Sequence, residues 1–380
     1  MIYLNAGAGT KPYPEVIETI IDVLTNHWAN PHDATSVGYD AQMIINSVTE
    51  QVAKDINCNS DEVIWTSGAC EANSLAIMGL LNKNPYMNFY TTILEHTSID
   101  ELTKDLPLHK VGYLSNHNDG SINLDNLENA LIWNYRHNMK TLVSIGFGNS
   151  EIGVVQNIKV ISEMVHRYGG ILHTDATQIY PWMKIDVQEF GIDMMSVSGQ
   201  KLGAPKGVGF LYVKDGIELK PLIYGSQQKG YRAGTMPTHL IAAFGKALEL
   251  TRGHNACTRV KKLRDKLLDK LLKIEGTHMN GSSFQELLRM PNIISLTIDG
   301  VNAETLVTMC DLIGVIIGKG SACKSHEPTP SKSLMAIGLT EEQALNTIRI
   351  SLDEFNTEEE IETAAKIITQ LVERIRKDVE

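Results

Sequence analysis

The chain has 380 residues, 43% of them hydrophobic and 21% charged, which is typical of a globular protein and unlike a disordered or fibrous one. Its formal net charge of -11 argues against direct nucleic acid binding, because that needs a positively charged surface. No apolar run reaches the ~20 residues of a membrane span, no leader peptide is evident and the five cysteines form no CxxC pair, so we expect a cytoplasmic protein without a membrane anchor, disulfide framework or metal site.

Up to Gly225, apolar strands alternate with amphipathic helices. The predicted strands cover residues 2–4, 62–66, 89–94, 110–114, 141–146, 170–173, 193–197 and 210–213. The predicted helices cover residues 15–28, 39–56, 75–81, 99–106, 124–137 and 158–168. This alternation predicts an α/β fold with a mostly parallel sheet covered by helices on both faces.

After Gly225 the pattern changes to a smaller α+β unit. Helices are predicted over residues 238–252, 260–274 and 304–312, from residue 331, and over 357–376, with strands over 292–298, 315–317 and 347–352. A polar loop is predicted from Gly318 to Pro330. We therefore expect a large domain of residues 15–252 and a small domain built from residues 1–14 and 253–380.

Polar side chains follow several of the predicted strands where each strand ends. They are His96, Asn149, Asp175, Gln178 and Lys201. In open α/β sheets, ligands bind outside the carboxyl ends of the strands. A lone lysine is usually a surface residue. A lysine and an acid at the ends of neighbouring strands are, however, what a pyridoxal phosphate (PLP) site needs.

The segment from Ser67 to Asn73 joins a strand to an apolar helix through small residues. Such a turn directs free backbone N–H groups and a helix dipole toward an anion. The same residues also suit a tight turn without any ligand, and this motif by itself does not separate the two interpretations.

Nine short segments occur in a characteristic order along nearly the whole chain. They are residues 2–4 with the following turn, Asn30-Pro31, TSGACEAN at 66–73, GNSEIG at 148–153, HTDATQ at 173–178, SGQK at 198–201, RAGT at 232–235, GSAC at 320–323 and TIRISL at 347–352. Together they resemble the cysteine desulfurases of the NifS and IscS kind, a branch of the class V aminotransferase-like, fold-type I PLP enzymes. The resemblance implies a homodimer that acts on L-cysteine.

The resemblance also implies a role for each matching residue. Lys201 would bind the cofactor as a Schiff base, Asp175 would pair with the pyridine nitrogen, Gln178 would bind the ring hydroxyl, and His96 would stack on the ring and move protons. The phosphate would be held by Ala69, Cys70, Ser198 and Gln200, and by Thr235 across the dimer interface. Asn149 and Arg349 would bind the substrate carboxylate, although Arg349 alone also suits a surface ion pair.

Cys323 separates a desulfurase from an ordinary transaminase. Its thiolate would attack the sulfur of cysteine bound to PLP, leaving alanine and a persulfide for a protein sulfur acceptor. Its loop is rich in glycine and serine, so we expect it to be exposed and mobile. For Cys58, Cys257 and Cys310 we expect the usual state of a free cysteine, which is small, buried and inert.

Several residues depart from the family pattern. Gln200 stands in place of a histidine, Cys70 in place of a threonine and Asn5 in place of an aspartate. The pattern leaves open a PLP-dependent lyase or transaminase for another amino acid, and a weakened scaffold that binds a sulfur-acceptor protein. It also does not choose among iron–sulfur assembly, tRNA thiolation and DNA phosphorothioation as the destination of the sulfur.

Overall fold

A computed structural model describes residues 1–253, 256–281, 289–320 and 329–379. The helices are α1 (Pro14–Asn26), α2 (Ser36–Ile56), α3 (Ala69–Lys83), α4 (Thr97–Lys104), α5 (Leu124–Arg136), α6 (Ile158–Arg167), α7 (Thr238–Gly253), α8 (Ala256–Leu271), α9 (Ala303–Ile313), α10 (Lys332–Ala336), α11 (Glu341–Leu345) and α12 (Glu358–Val379). The strands are β1 (Ile2–Tyr3), β2 (Val63–Thr66), β3 (Asn88–Thr92), β4 (Val111–Leu114), β5 (Thr141–Ser144), β6 (Ile171–Asp175), β7 (Met194–Ser198), β8 (Gly209–Val213), β9 (Thr277–Met279), β10 (Ile293–Ile298), β11 (Val315–Ile316), β12 (Gly318–Lys319) and β13 (Thr347–Ser351).

The larger sheet has seven strands in the order β2-β8-β7-β6-β5-β3-β4. Only β8 pairs antiparallel with its neighbours, so the other six strands run in one direction. The sequence prediction of a mostly parallel α/β sheet is therefore confirmed.

Both faces of this sheet are buried, as β8 illustrates. Phe210 and Tyr212 pack into one hydrophobic cluster with Trp65 and Phe244, while Leu211 packs into a cluster on the opposite face. The first cluster includes residues of α2, α6 and α7, and the second includes residues of α3 and α4. Because helices cover both faces, every residue of β2, β5, β7 and β8 is buried, instead of alternating between buried and exposed positions.

A second sheet, with four antiparallel strands in the order β12-β13-β10-β9, follows in the C-terminal part of the chain. It shares a separate core with α8, α9 and α12, which also includes Leu4 from the N-terminus. The strand β1 pairs with β11 next to this core. The N-terminal segment therefore begins beside the C-terminal unit. It then continues from this unit to the edge of the larger sheet.

Some predicted boundaries are wrong. The helix predicted over residues 75–81 begins at Ala69, because its first turn is made of small residues that carry no apolar periodicity. Gly318 and Lys319, predicted as part of a loop, form β12 because they pair with β13. The short edge strand β9 was not predicted, since its three partly exposed residues are too few to form a strand pattern.

None of the helices in the described ranges combines the length and the apolarity that are needed to cross a membrane.

Candidate active site

The candidate site lies at the carboxyl ends of the parallel strands. Asp175 is the last residue of β6 and Ser198 the last of β7, and these two strands pair in parallel with Asp175 opposite Ser196. His96 follows β3, and Asn149 follows β5. Since parallel strands end at the same edge of a sheet, the predicted polar residues converge there.

Lys201 lies on a single helical turn, Gly199–Lys201, directly after β7. Gly199 packs so closely against Phe244 that an added Cβ would come within 2.9 Å of its ring, which fixes the path of this turn. The Lys201 Nζ atom donates hydrogen bonds to the carbonyl oxygens of Gly7 at 2.8 Å and Ala8 at 2.7 Å. The N-terminal segment therefore holds the amine at the sheet edge.

The amine of Lys201 is easier to deprotonate than an ordinary lysine. Burial, followed by the charge of Arg349, lowers its pKa to about 8, although the carboxylate of Asp175 acts in the opposite direction. Removing a charged amine from water favours its neutral form. Near neutral pH, an appreciable fraction of Lys201 is consequently a neutral nucleophile.

We expect the acylation rate of Lys201 in the folded protein to rise with pH and level off above about 8, because only the neutral amine reacts. In the urea-unfolded chain, the same lysine should level off only near the ordinary lysine pKa of about 10.4. Competitive labelling with acetic anhydride, followed by peptide mass spectrometry, measures both profiles. Coincident profiles would contradict a lowered pKa.

Asp175 is held by two donors on opposite sides. Its Oδ1 atom accepts a hydrogen bond from the backbone N–H of Thr177 at 2.9 Å, and its Oδ2 atom accepts one from the side chain of Asn73 at 2.8 Å. Asn73 is fully buried in α3. The sequence prediction did not assign Asn73 a role, although it lies in the TSGACEAN segment.

His96 caps the N-terminus of α4. Its Nδ1 atom accepts a hydrogen bond from the backbone N–H of Ser98 at 3.1 Å and lies 2.8 Å from the Ser98 Oγ atom. The residue is exposed at the edge of the site. Glu95, its neighbour, was not predicted as a site residue.

The Glu95 carboxylate accepts hydrogen bonds from the backbone N–H of Gly146 and from the Thr92 hydroxyl, both at 2.8 Å. Burial raises the pKa of Glu95 to about 7, with a further contribution from Asp175. Its position directly before His96 is the only sequence signal that could have indicated it.

The N-terminus of α3 fits an anion. Its N-cap residue, Gly68, provides no side chain to bind the first backbone N–H groups, such as those of Ala69 and Cys70. Gly68 has a φ of +149°, and a Cβ added there would meet only the Ser198 Oγ atom, at 3.6 Å, beyond its chain neighbours. The uncapped N–H groups, the helix dipole and Ser198 are thus arranged as a phosphate site would be.

The loop that carries Thr235 is bound to the same helix by an ion pair. Arg232 pairs with Glu71 in the first turn of α3, with 2.7 Å between Nε and Oε1. Burial raises the pKa of Glu71, but hydrogen bonds from Arg232 and Ser67 outweigh this and hold the pKa below its usual value. Thr235 itself is exposed and makes no hydrogen bond to another described site residue.

Arg349 reaches the site from β13. It donates hydrogen bonds to Asn5 Oδ1 at 2.8 Å and to the carbonyl oxygen of Ser150 at 3.4 Å, and both acceptors are neutral. Its Nε atom is enclosed and has no hydrogen-bond partner among the residues that the structure describes. Burial lowers the pKa of Arg349, while the nearby Glu151 acts to raise it. Arg349 therefore carries donors that suit an incoming carboxylate.

Glu151 neutralises Arg349 only in part. Burial raises the pKa of this half-buried glutamate to about 7, so a substantial fraction is protonated and uncharged near neutral pH. With Asn5 in place of the aspartate usual in the family, the charge of Arg349 is left to attract an anionic ligand.

Asn149 uses most of its hydrogen-bonding capacity within the fold. Its Oδ1 atom accepts from the backbone N–H groups of Glu151 and Ile152, both at 2.8 Å, and its Nδ2 atom donates to the carbonyl oxygen of Leu94 at 2.8 Å. It thereby shapes the turn that places Ser150 against Arg349. One amide hydrogen remains for a ligand.

The two predicted glutamines lie under the N-terminal segment. Gln178 Nε2 donates to the carbonyl oxygen of Gly7 at 3.3 Å. The backbone carbonyl of Gln200 accepts hydrogen bonds from the backbone N–H and the hydroxyl of Thr10, at 3.2 and 2.8 Å. The Gln200 side chain makes no hydrogen bond to a described residue, so its amide is available to a ligand.

Cys323 lies outside the described residues. The preceding described residue, Gly320, bonds to the backbone carbonyl of Thr347 at 3.0 Å, so the chain leaves the described part close to Arg349. Within the described ranges, no group of three or more histidine, cysteine or acidic residues is arranged to hold a metal ion.

The other three predicted inert cysteines differ in burial. Cys310 is buried as predicted, whereas Cys58 and Cys257 are only half-buried, so the predicted burial is wrong for these two. Burial nevertheless raises the pKa of Cys58 and of Cys310 to about 12 and raises that of Cys257. These thiols are therefore poor nucleophiles near neutral pH.

Comparison with known proteins gives a consistent result. A profile of the class V aminotransferase family matches residues 2–363. The chain is 33% identical over 378 residues to cysteine desulfurase IscS 1 of Archaeoglobus fulgidus, covering 97% of this chain and 96% of that protein. It resembles a solved NifS-like protein with a TM-score of 0.89 at 26% identity, covering 98% and 99% of the two chains. It also resembles the solved structure of SspA in complex with cysteine, with a TM-score of 0.80 at 30% identity, covering 94% and 100%.

Proposed function

This chain belongs to the class V aminotransferase family, in its cysteine desulfurase branch, and we propose that it uses pyridoxal phosphate to convert L-cysteine into L-alanine, leaving a persulfide on Cys323. The observation that carries this proposal is the convergence of Lys201, Asp175 and Arg349 at one sheet edge. A nucleophilic amine and a carboxylate held by hydrogen bonds suit a PLP cofactor. An arginine with an unused hydrogen-bond donor suits the carboxylate of an amino acid substrate.

The residues fit PLP group by group. The uncapped start of α3 and Ser198 would hold its phosphate, Asp175 its pyridine nitrogen, and Lys201 its aldehyde carbon. When bound, PLP supplies an electron sink that makes the bonds of the substrate amino acid easier to break. Asp175 supports this by keeping the ring nitrogen protonated, because a nearby carboxylate favours the positive charge.

Lys201 and His96 would move protons. With a pKa of about 8, Lys201 can both release and accept a proton near neutral pH. The ring of His96 lies at the exposed edge of the site, where it would cover the ring of a bound PLP. The carbonyl oxygens of Gly7 and Ala8 hold the lysine amine close to the strand ends whenever it is not bonded to a ligand.

Cys323 would carry out the step that defines a desulfurase. Its thiolate attacks the substrate sulfur, a bond forms between the two sulfur atoms, and the carbon–sulfur bond of the substrate breaks. The electron pair of that bond stays with the substrate carbon, which takes up a proton and leaves as alanine. L-Cysteine and one thiol thus become L-alanine and one persulfide, with no external oxidant.

Incubating the purified protein with PLP and L-cysteine tests this function. We expect equimolar formation of alanine and of persulfide, or of sulfide when a reducing thiol is present. Mass spectrometry of the protein should place the extra sulfur on Cys323. The absence of alanine would refute the proposal and favour a sulfur-acceptor scaffold.

Replacing Arg349 by glutamine should raise the KM for L-cysteine with little change in kcat. Hydrogen bonds to a charged group are each worth about 1.5–3 kcal/mol, which corresponds to a KM increase of roughly 10–100-fold. The Arg349→Lys variant keeps the charge but not the two-pronged geometry, so its KM should be intermediate. Steady-state kinetics measures both, with the exposed Arg374→Gln as a control. An unchanged KM would remove Arg349 from the substrate site.

We further propose that the protein acts as a homodimer through an exposed apolar face. This face consists of Ile17, Ile21 and Leu24 on one side of α1 with Tyr39 and Met43 of α2, all between 46% and 64% exposed. Both helices pack against α7, and several exposed apolar side chains on neighbouring elements are typical of a protein interface. A second copy would cover it, and the partner's copy of the loop after Arg232 would bring a threonine to the phosphate.

The Ile21→Asp variant should shift the protein from dimer to monomer. Burying this side chain stabilises an interface by about 1.5–3 kcal/mol. In a two-fold symmetric dimer both subunits carry the substitution, so the free energy of association loses this contribution twice. Sedimentation velocity measures the change. Leu108→Asp, at a residue that is 90% exposed outside this face, is the matched control and should remain dimeric. A monomeric wild type would refute the proposed interface.

The likeness to cysteine desulfurases supports a protein as the receiver of the sulfur. The net charge of -11 suits handing sulfur to a protein better than binding nucleic acid directly, and we propose a cytoplasmic location for this reaction.

A further inference from the structure

Asn73 connects two parts of the site that lie on different elements. Its Nδ2 atom donates to Asp175 Oδ2 at 2.8 Å and to the Ser98 Oγ atom at 3.0 Å. A carboxylate can only accept, so the amide must turn its NH₂ group toward Asp175. Both amide hydrogens are thereby used, and the fully buried Asn73 bridges the end of β6 and the start of α4.

Ser98 extends this connection to His96. Because Asn73 donates to the Ser98 oxygen, the hydroxyl hydrogen is free to point at His96 Nδ1, which is 2.8 Å away. The backbone N–H of Ser98 also donates to Nδ1, at 3.1 Å. A nitrogen that accepts from a backbone N–H carries no proton, so the neutral ring of His96 carries its proton on Nε2.

We propose that Asn73 and Ser98 are positioning residues that couple Asp175 to His96. This inference rests on the proposed function and deepens it. The chain from Asp175 through Asn73 and Ser98 links the carboxylate that would pair with the cofactor nitrogen to the imidazole that would cover the cofactor ring. Because His96 is exposed and its Nδ1 atom is occupied by Ser98, its Nε2–H group is left to contact a ligand.

The Ser98 hydroxyl can be separated from the helix cap. In Ser98→Ala, the backbone N–H of residue 98 still caps α4 through His96 Nδ1, while the link to Asn73 is cut. A merely structural role of Ser98 would therefore leave His96 unaffected by this substitution. A coupling role predicts a change at His96 without unfolding.

The test uses the full chain labelled with ¹⁵N-histidine and free of PLP, so that its first readout does not depend on activity. In the wild type, we expect the shift of an unprotonated Nδ1 for His96. Asn73→Ala should move this resonance in the wild-type background and leave it unmoved in the Ser98→Ala background, because the connection is already cut. Thr97→Ala, in the same helical turn, should leave it unmoved.

The second readout is the steady-state kinetics of the PLP-loaded enzyme, in which kcat and KM are measured separately. Ser98→Ala should lower kcat for alanine formation about fivefold, the equivalent of one neutral hydrogen bond, with KM unchanged. Ser98→Thr, which keeps the hydroxyl, should restore both the resonance and kcat.

The proposal is overturned if Ser98→Ala leaves both the His96 resonance and kcat unchanged, or if Asn73→Ala shifts the resonance equally with and without the Ser98 hydroxyl. If Asn73→Ala does not fold, the half-buried Ser98 variants decide the matter. A wild type without desulfurase activity would refute the proposed function, whereas the histidine resonances would still decide the coupling.

Discussion

Replacing Lys201 by alanine is expected to abolish alanine formation from L-cysteine and the covalent capture of PLP, while the chain stays folded. Activity should fall by on the order of 10⁴-fold or more, as it does when other enzymes lose a covalent nucleophile. The reason is local, because Lys201 is the amine at the strand ends whose pKa is lowered to about 8 and which is close enough to Asp175 and Arg349 to feel their charges. No larger rearrangement is expected, because its hydrogen bonds go only to two backbone carbonyl oxygens.

Borohydride reduction followed by peptide mass spectrometry measures the capture directly. The wild type should carry the reduced cofactor on the peptide that contains Lys201, and the variant should carry none. Lys206→Ala is the matched control, since Lys206 is an exposed lysine on the same loop, and it should keep both capture and turnover. Cofactor still bound covalently in Lys201→Ala would show that another lysine is the anchor.

Replacing Cys323 by serine should leave PLP binding intact and stop the formation of alanine and persulfide. A hydroxyl is not deprotonated near neutral pH and does not accept sulfur, so we expect a loss on the order of 10³-fold or more. Measuring alanine release and the retained cofactor in one sample distinguishes a lost sulfur acceptor from a lost cofactor.

Cys257→Ser and Cys58→Ser are the controls for this experiment. Burial raises the pKa of both thiols, so they are not expected to take part, and their serine variants should keep full turnover. Undiminished turnover in Cys323→Ser would remove this residue from the reaction and favour a PLP-dependent lyase. Transfer of the amino group from another amino acid, without sulfur release, would favour a transaminase.

Much of the fold could be predicted from the sequence because local patterns carry it. The run 210–213 is apolar throughout and the run 193–197 is apolar at Met194, Met195 and Val197, which is typical of a sheet buried on both faces, and both runs lie in strands of the structure. Prediction failed where the local pattern was weak. The first turn of α3 consists of small residues, and Gly318 and Lys319 become a strand only because β13 lies beside them.

The sequence by itself determined that several polar groups would meet at one edge of the sheet. Alternating strands and helices force a parallel sheet, so residues that follow consecutive strands, such as Asp175 and Lys201, must come to one edge. Their order along the chain, with the matching segments around them, also determined the family.

Only the tertiary structure decided how these groups are tuned. Lys201 bonds to a carbonyl oxygen 194 residues away, and Arg349 bonds to an asparagine 344 residues away. The link from Asp175 through Asn73 and Ser98 to His96 likewise joins three elements. Burial and neighbouring charges set the pKa of Lys201, and both depend on the packing of distant segments, which no local pattern in the sequence encodes.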